Sequence, residues 1–148
     1  MKKIILTLAA TVLAIGVSPL AHASTSITKL VVSANGANEK PNNGAKTGSA
    51  SGTFTLNTAK NTICFTNMKT TGLTHVIEAH IHLGASGIDG SIFVTLNISN
   101  FNQVRQTCIK VAHPVLVDIA KHPGDYYLNV HTRDFPGGAV RGQLKRSS

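Results

Sequence analysis

The chain has 148 residues, 42% of them hydrophobic, with 14 basic and 6 acidic residues and a formal net charge of +8. That length suits one domain with a single core of ordinary size and leaves no room for an evident repeat or second domain. The lysines stand singly, without the basic stripe and interleaved aromatics that nucleic-acid binding uses, so a nucleic-acid partner is not expected.

The first stretch, MKKIILTLAATVLAIGVSPLAHA, has two lysines, an apolar run from Ile4 and a small-x-small ending at Ala21-His22-Ala23. It reads as a signal peptide, residues 1–23, cleaved before Ser24. Its apolar core is too short to span a bilayer comfortably, and no later stretch approaches the roughly 20 apolar residues of a transmembrane helix. The expectation is an exported, periplasmic or secreted protein with no membrane span, built as one β domain over residues 24–148. Lys2 and Lys3 leave with the leader, so 12 basic residues face 6 acidic ones, a net +6. Such a surplus gives solubility and weak attraction to anionic envelope surfaces.

From there, short alternating segments separated by Gly, Asn, Ser and Thr dominate, the pattern of an antiparallel sandwich or barrel. Strands are predicted over 27–34, 48–56, 62–68, 75–83, 91–96, 106–111, 125–132 and 139–145. The segment ANGANEKPNNGAKTG, 34–48, has almost no apolar content and reads as a long solvated loop. One helix is predicted from Pro114 to Lys121: proline suits its first turn, Val115, Leu116 and Ile119 share a face, and Lys121 meets the negative end before Pro123.

Two cysteines, Cys64 and Cys108, occur in a chain expected to be exported, and a disulfide is the simplest reading. It would contribute about 4 kcal/mol in the chain-entropy picture. Two thiolates for a soft metal are the alternative.

The strand containing EAHIHLG carries the chemistry. Alternation sends Ile77, Ala79, Ile81 and Leu83 to one face, a core face, and Glu78, His80 and His82 to the other. Same-face neighbours have Cα atoms about 6.6 Å apart, within reach of converging imidazoles. In the later strand Tyr126, Leu128 and Val130 alternate with Tyr127, Asn129 and His131, so His131 joins the first two histidines if the strands lie close. One tyrosine should be core and the other a surface or site neighbour. His75, His113 and His122 read as surface or loop residues.

The segments AHIHLGASGIDGSIFVTL (79–96) and GDYYLNVHTRDFPGGAVRGQL (124–144), with NEKP and TGSASGTFTL before them, resemble the CHRD domain, named from chordin and found in many secreted bacterial proteins. The resemblance covers about the whole mature chain. It implies an all-β fold: an antiparallel, immunoglobulin-like or Greek-key β-sandwich or barrel of about eight strands with one short helix. It transfers no catalytic activity. Cys64 and Cys108 sit where some bacterial members carry cysteines, which favours the disulfide. Glu39-Lys40-Pro41 stands where the family often has two prolines after the glutamate, and Ala139 stands where it often has an acidic residue, leaving no ion pair from that position to Arg141.

His80, His82 and His131 supply three borderline nitrogen ligands, a set suited to Cu(II) or Zn(II) and poorly suited to Ca or Mg. Glu78 or Asn129 would orient a ligand imidazole from behind. The competing reading has the same histidines as braces, hydrogen-bonding across strands and holding the LGASGIDG turn. In that case the chain is a structural or adhesion module with an envelope or extracellular protein or polysaccharide partner. Arg141 would clamp a carboxylate such as Glu78 or Asp125, or a string of carbonyls. Enzyme readings fare worse. Six acidic residues offer few carboxylate pairs, no serine sits in a nucleophile elbow, and a superoxide-dismutase-like copper enzyme lacks an evident bridging-ligand pattern. GASGIDG is no phosphate loop, because no helix follows it.

Overall fold

The computed structural model describes residues 26–41, 44–98, 101–103 and 105–148, so the expected leader lies outside the described residues. Eight strands form one antiparallel sheet: β1 (Ile27–Asn35), β2 (Ser49–Asn57), β3 (Thr62–Thr71), β4 (Val76–Leu83), β5 (Ser91–Leu96), β6 (Gln106–Lys110), β7 (Tyr126–Thr132) and β8 (Val140–Arg146). Their order is β5-β4-β7-β8-β1-β2-β3-β6, and the sheet curls into a nearly closed barrel. One helix, α1 (His113–Lys121), buries Leu116 and Ile119. The expected all-β class, strand count and single helix all hold.

Alternation builds the interior. In β1 and β2 every second residue is buried, giving Leu30, Val32 and Ala34 from one strand and Phe54 and Leu56 from the next. Ile63, Phe65, Ile81, Leu128, Val130 and Leu144 complete the same cluster. Phe54 meets Phe65 edge to face at 6.5 Å, a favoured aromatic geometry. Cys64 and Cys108 are register partners across β3 and β6, and they are disulfide-bonded. The bridge ties the terminal strand to its neighbour and removes the thiolate reading.

The expected parity of β4 holds only at its centre. Ala79 and Ile81 are fully buried, but Ile77 is 46% and Leu83 37% exposed. A register shift against β7 between Val76 and Glu78 leaves Ile77 at a bulge; the shift against β5 places its extra residue, Phe93, in β5, and Leu83 is the exposed last residue of β4. A bulge adds a residue to one strand and interrupts the two-residue period.

β7 departs from the one-sided pattern altogether, since all seven of its residues are buried. Its inner face joins the core. Its outer face, with Tyr127, Asn129 and His131, is roofed by residues 36–41, 44–48 and 84–90 and by the turn before β8. The first of these is not merely solvated: Ala45 N–H donates to Ala139 O at 2.8 Å, and Glu39 is only 2% exposed. Close approach requires glycine there, because a Cβ on Gly44 would lie 2.0 Å from Ala139 O.

Candidate metal centre

Pairing of β4 with β7 opposes Glu78 to His131, His80 to Asn129 and His82 to Tyr127. This brings the three predicted histidines together on the roofed face. His80 is 5%, His82 7% and His131 9% exposed. Ring centroids lie 5.0 Å apart for His80–His131, 5.5 Å for His80–His82 and 6.3 Å for His82–His131. One ring nitrogen from each lies within 4.8 Å of the other two. The tetrahedral nitrogen–nitrogen edge for metal bonds near 2 Å is about 3.3 Å, so the rings would draw in slightly around an ion.

Hydrogen bonding fixes which nitrogens face inward. His82 Nδ1 lies 2.9 Å from Gly90 O and His131 Nδ1 lies 3.0 Å from Pro136 O. A carbonyl only accepts, so both Nδ1 atoms carry protons and both Nε2 atoms carry lone pairs. His82 Nε2 is buried and has no partner. His131 Nε2 lies 3.1 Å from His80 Nδ1, so in neutral rings His80 holds its proton there. That leaves His80 Nε2 with a lone pair 3.5 Å from Glu78 Oε2, acceptor against acceptor. Burial, then the neighbouring histidines, lowers the His80 pKa; burial likewise lowers that of His82. Both shifts favour the neutral, ligand-competent ring.

The surroundings hold the 84–90 segment over these rings. Tyr127 stacks on His82 at 4.9 Å, accepts from Gly90 N–H at 3.2 Å and donates to Asp89 Oδ1 at 3.3 Å. A Cβ on Gly90 would lie 1.7 Å from Leu83 O, so no other residue fits. Arg141 is 1% exposed, lies 3.5 Å over the Tyr127 ring, and donates through Nη2 to Ala85 O at 2.9 Å and Ile88 O at 2.6 Å. Of the two partners expected for Arg141 it takes the carbonyls; Glu78 and Asp125 are not among its hydrogen-bond partners. Tyr126 is the core tyrosine, donating to Asp118, and Tyr127 is the site neighbour. His75, His113 and His122 are exposed, as expected.

Glu78 stands behind His80 as anticipated. Asn129 turns elsewhere: its Nδ2 donates to Glu39 Oε1 at 3.4 Å. Sequence reasoning missed Glu39, which lies in a segment of polar composition. Its Oε1 also accepts from Lys40 N–H at 3.1 Å, and a Cβ on Gly138 would lie 2.5 Å from its carboxyl carbon. Among the described residues, the buried side-chain atoms without a partner are Glu39 Oε2, His82 Nε2, Asn129 Oδ1 and Arg141 Nη1, all in this roofed region.

Burial raises the Glu39 pKa, opposed by Lys40 N–H and the Arg141 charge. The folded chain therefore holds this proton more tightly than the unfolded one. The contribution is fully present below the unfolded value of 4.5 and is lost as pH rises through the folded pKa. Glu39→Gln keeps an acceptor without the charge. Urea unfolding is expected to show a gap between variant and wild type that opens in favour of the variant on moving from pH 4 toward neutrality. A gap independent of pH would refute this.

A family model described as the CHRD domain matches residues 30–144. No curated protein and no solved structure shows a significant match.

Proposed function

This chain belongs to the CHRD domain family, and from that premise we propose that it is a non-catalytic binding module whose His80, His82 and His131 take one copper or zinc ion. The observation that carries the reading is the tautomer pattern. Two imidazoles are locked by backbone carbonyls with their Nε2 lone pairs inward, and the third meets them through Nδ1. Ligand histidines characteristically donate their second nitrogen to a carbonyl or carboxylate. A metal at His80 Nδ1 would move the ring proton to Nε2, where Glu78 can accept it, ending the acceptor-to-acceptor contact. Three neutral nitrogens suit Cu(II) or Zn(II) and leave a further position open. The disulfide accords with a place outside the cytoplasm, periplasmic or secreted.

Calorimetric titration of the tag-free chain with Zn(II) and Cu(II) tests this. One equivalent should bind with micromolar or tighter affinity and lose at least about 100-fold, some 2.7 kcal/mol, when His80 and His131 are both replaced by glutamine. Unchanged affinity in that variant would sink the assignment.

The second reading rests on the direct His80–His131 contact at 3.1 Å, which is also what a structural brace would make. Under it, the partner is an envelope or extracellular macromolecule and metal is irrelevant.

A further inference from the structure

The six acidic residues are unevenly placed. Glu39, Glu78, Asp89, Asp118, Asp125 and Asp134 all lie outside β1, β2, β3, β6 and β8, while those five strands carry Lys29, Lys69, Lys110, Arg141, Lys145 and Arg146. Their outward positions include many hydroxyl and amide side chains, Ser33 and Asn35 in β1 and Ser49, Ser51 and Thr53 in β2, beside the exposed aliphatics Ile27 and Val31. More than half of the sheet thus carries no acidic side chain, and its exposed charges, Lys29, Lys69, Lys110, Lys145 and Arg146, are all positive.

A groove runs along one border of that surface. Val31 pairs with Lys145 and Asn35 with Arg141, and the strands approach closely because a Cβ on Gly142 would lie 2.2 Å from Ser33 O. Two cavities, of about 260 Å³ and 600 Å³, adjoin at Asn38, Ser86 and Gln143, which line both. Lys40 lines the first and Lys145 the second, and neither lining contains a carboxylate. The walls are set by internal bonds. Asn38 Nδ2 donates to Arg141 O at 3.3 Å, and Gln143 Nε2 donates to Gly84 O at 3.0 Å and Gly124 O at 2.8 Å.

From this arrangement we propose that the β1–β8 groove binds a linear polysaccharide bearing carboxylates. Serine, asparagine and glutamine exchange hydrogen bonds with sugar hydroxyls. Val31, 36% exposed, offers an aliphatic surface to a ring face, and the terminal lysines meet the acid groups. A nucleic acid fits less well, because no aromatic side chain lines the groove and single strands bind by base stacking on such rings. None of His80, His82 and His131 lines the groove, although Arg141 and the 84–90 segment border both.

The full chain is titrated with polygalacturonate, neutral dextran and a single-stranded DNA oligomer at low and physiological salt. Polygalacturonate is expected to bind best, with affinity falling as salt rises. Lys40→Ala/Lys145→Ala should weaken it about tenfold, whereas Lys60→Ala/Lys121→Ala, which removes equal charge elsewhere, should change it less than about twofold. All four lysines are exposed, so both variants should keep the wild-type melting temperature. Equal losses in the two variants would reduce the effect to net charge and overturn the proposal. So would equal binding of dextran, or tighter binding of DNA.

Discussion

Zn(II) or Cu(II) in excess, at a free concentration about 100 times the dissociation constant, is expected to raise the melting temperature of the wild-type chain by about 10 °C, and His80→Ala to abolish that rise. Free ion at 100 times the dissociation constant adds about 2.7 kcal/mol to the folded state, which for a domain of this size is a shift of about that amount. The apo variant should itself lose about 1–2 kcal/mol, because His131 Nε2 forfeits its partner in a buried place. The two readings of the histidines separate on the difference between these effects. A brace predicts the same loss with and without metal; a ligand predicts a much larger loss in the presence of metal. A wild-type melting temperature indifferent to both ions, while the variant loses its 1–2 kcal/mol, would leave bracing as the role.

The second large effect belongs to Arg141. Replacing it by alanine removes two charge-assisted bonds to Ala85 and Ile88, takes a cation from the face of Tyr127 and leaves Glu39 without its neighbouring positive charge. The expected cost is about 3–5 kcal/mol, read as a fall in the urea midpoint at unchanged slope. Amide exchange should rise first in residues 84–90. Arg141→Lys should recover little, since an ammonium can neither bridge two carbonyls in a planar fork nor stack as a guanidinium does. Metal affinity should fall as well, because Gly90 in the released segment fixes the tautomer of His82. Full rescue by lysine would show that charge alone mattered.

Much of this was legible in the sequence. Alternation in LVVSA and GTFTL locates the strands, and proline with a following apolar face locates α1. Placing His80 and His82 on one face needed only the two-residue period. Bringing His131 beside them needed β4 next to β7, a pairing of strands separated by β5, β6 and α1 that no local pattern encodes. The exposure of Ile77 was hidden because a bulge depends on the partner strand. Glu39 was hidden for a different reason: its burial comes from the backbone of residues 44, 138 and 139 closing around it, and composition records only that the segment is polar. The carbonyl clamp of Arg141 likewise depends on where the 84–90 segment lands.

The place of β8 between β7 and β1 has a consequence for how the molecule is made. Among the described residues, 140–146 alone pair in the sheet with both the four-strand block ending at β1 and the block containing the histidines. Until they are added, two half-sheets each present a raw hydrogen-bonding edge, the kind of surface on which chains stick to one another. A chain in which residues 140–146 are not yet paired is therefore an incomplete barrel. Proteolytic trimming into Val140–Arg146 would return the finished protein to that vulnerable state, with the loss falling on both halves at once.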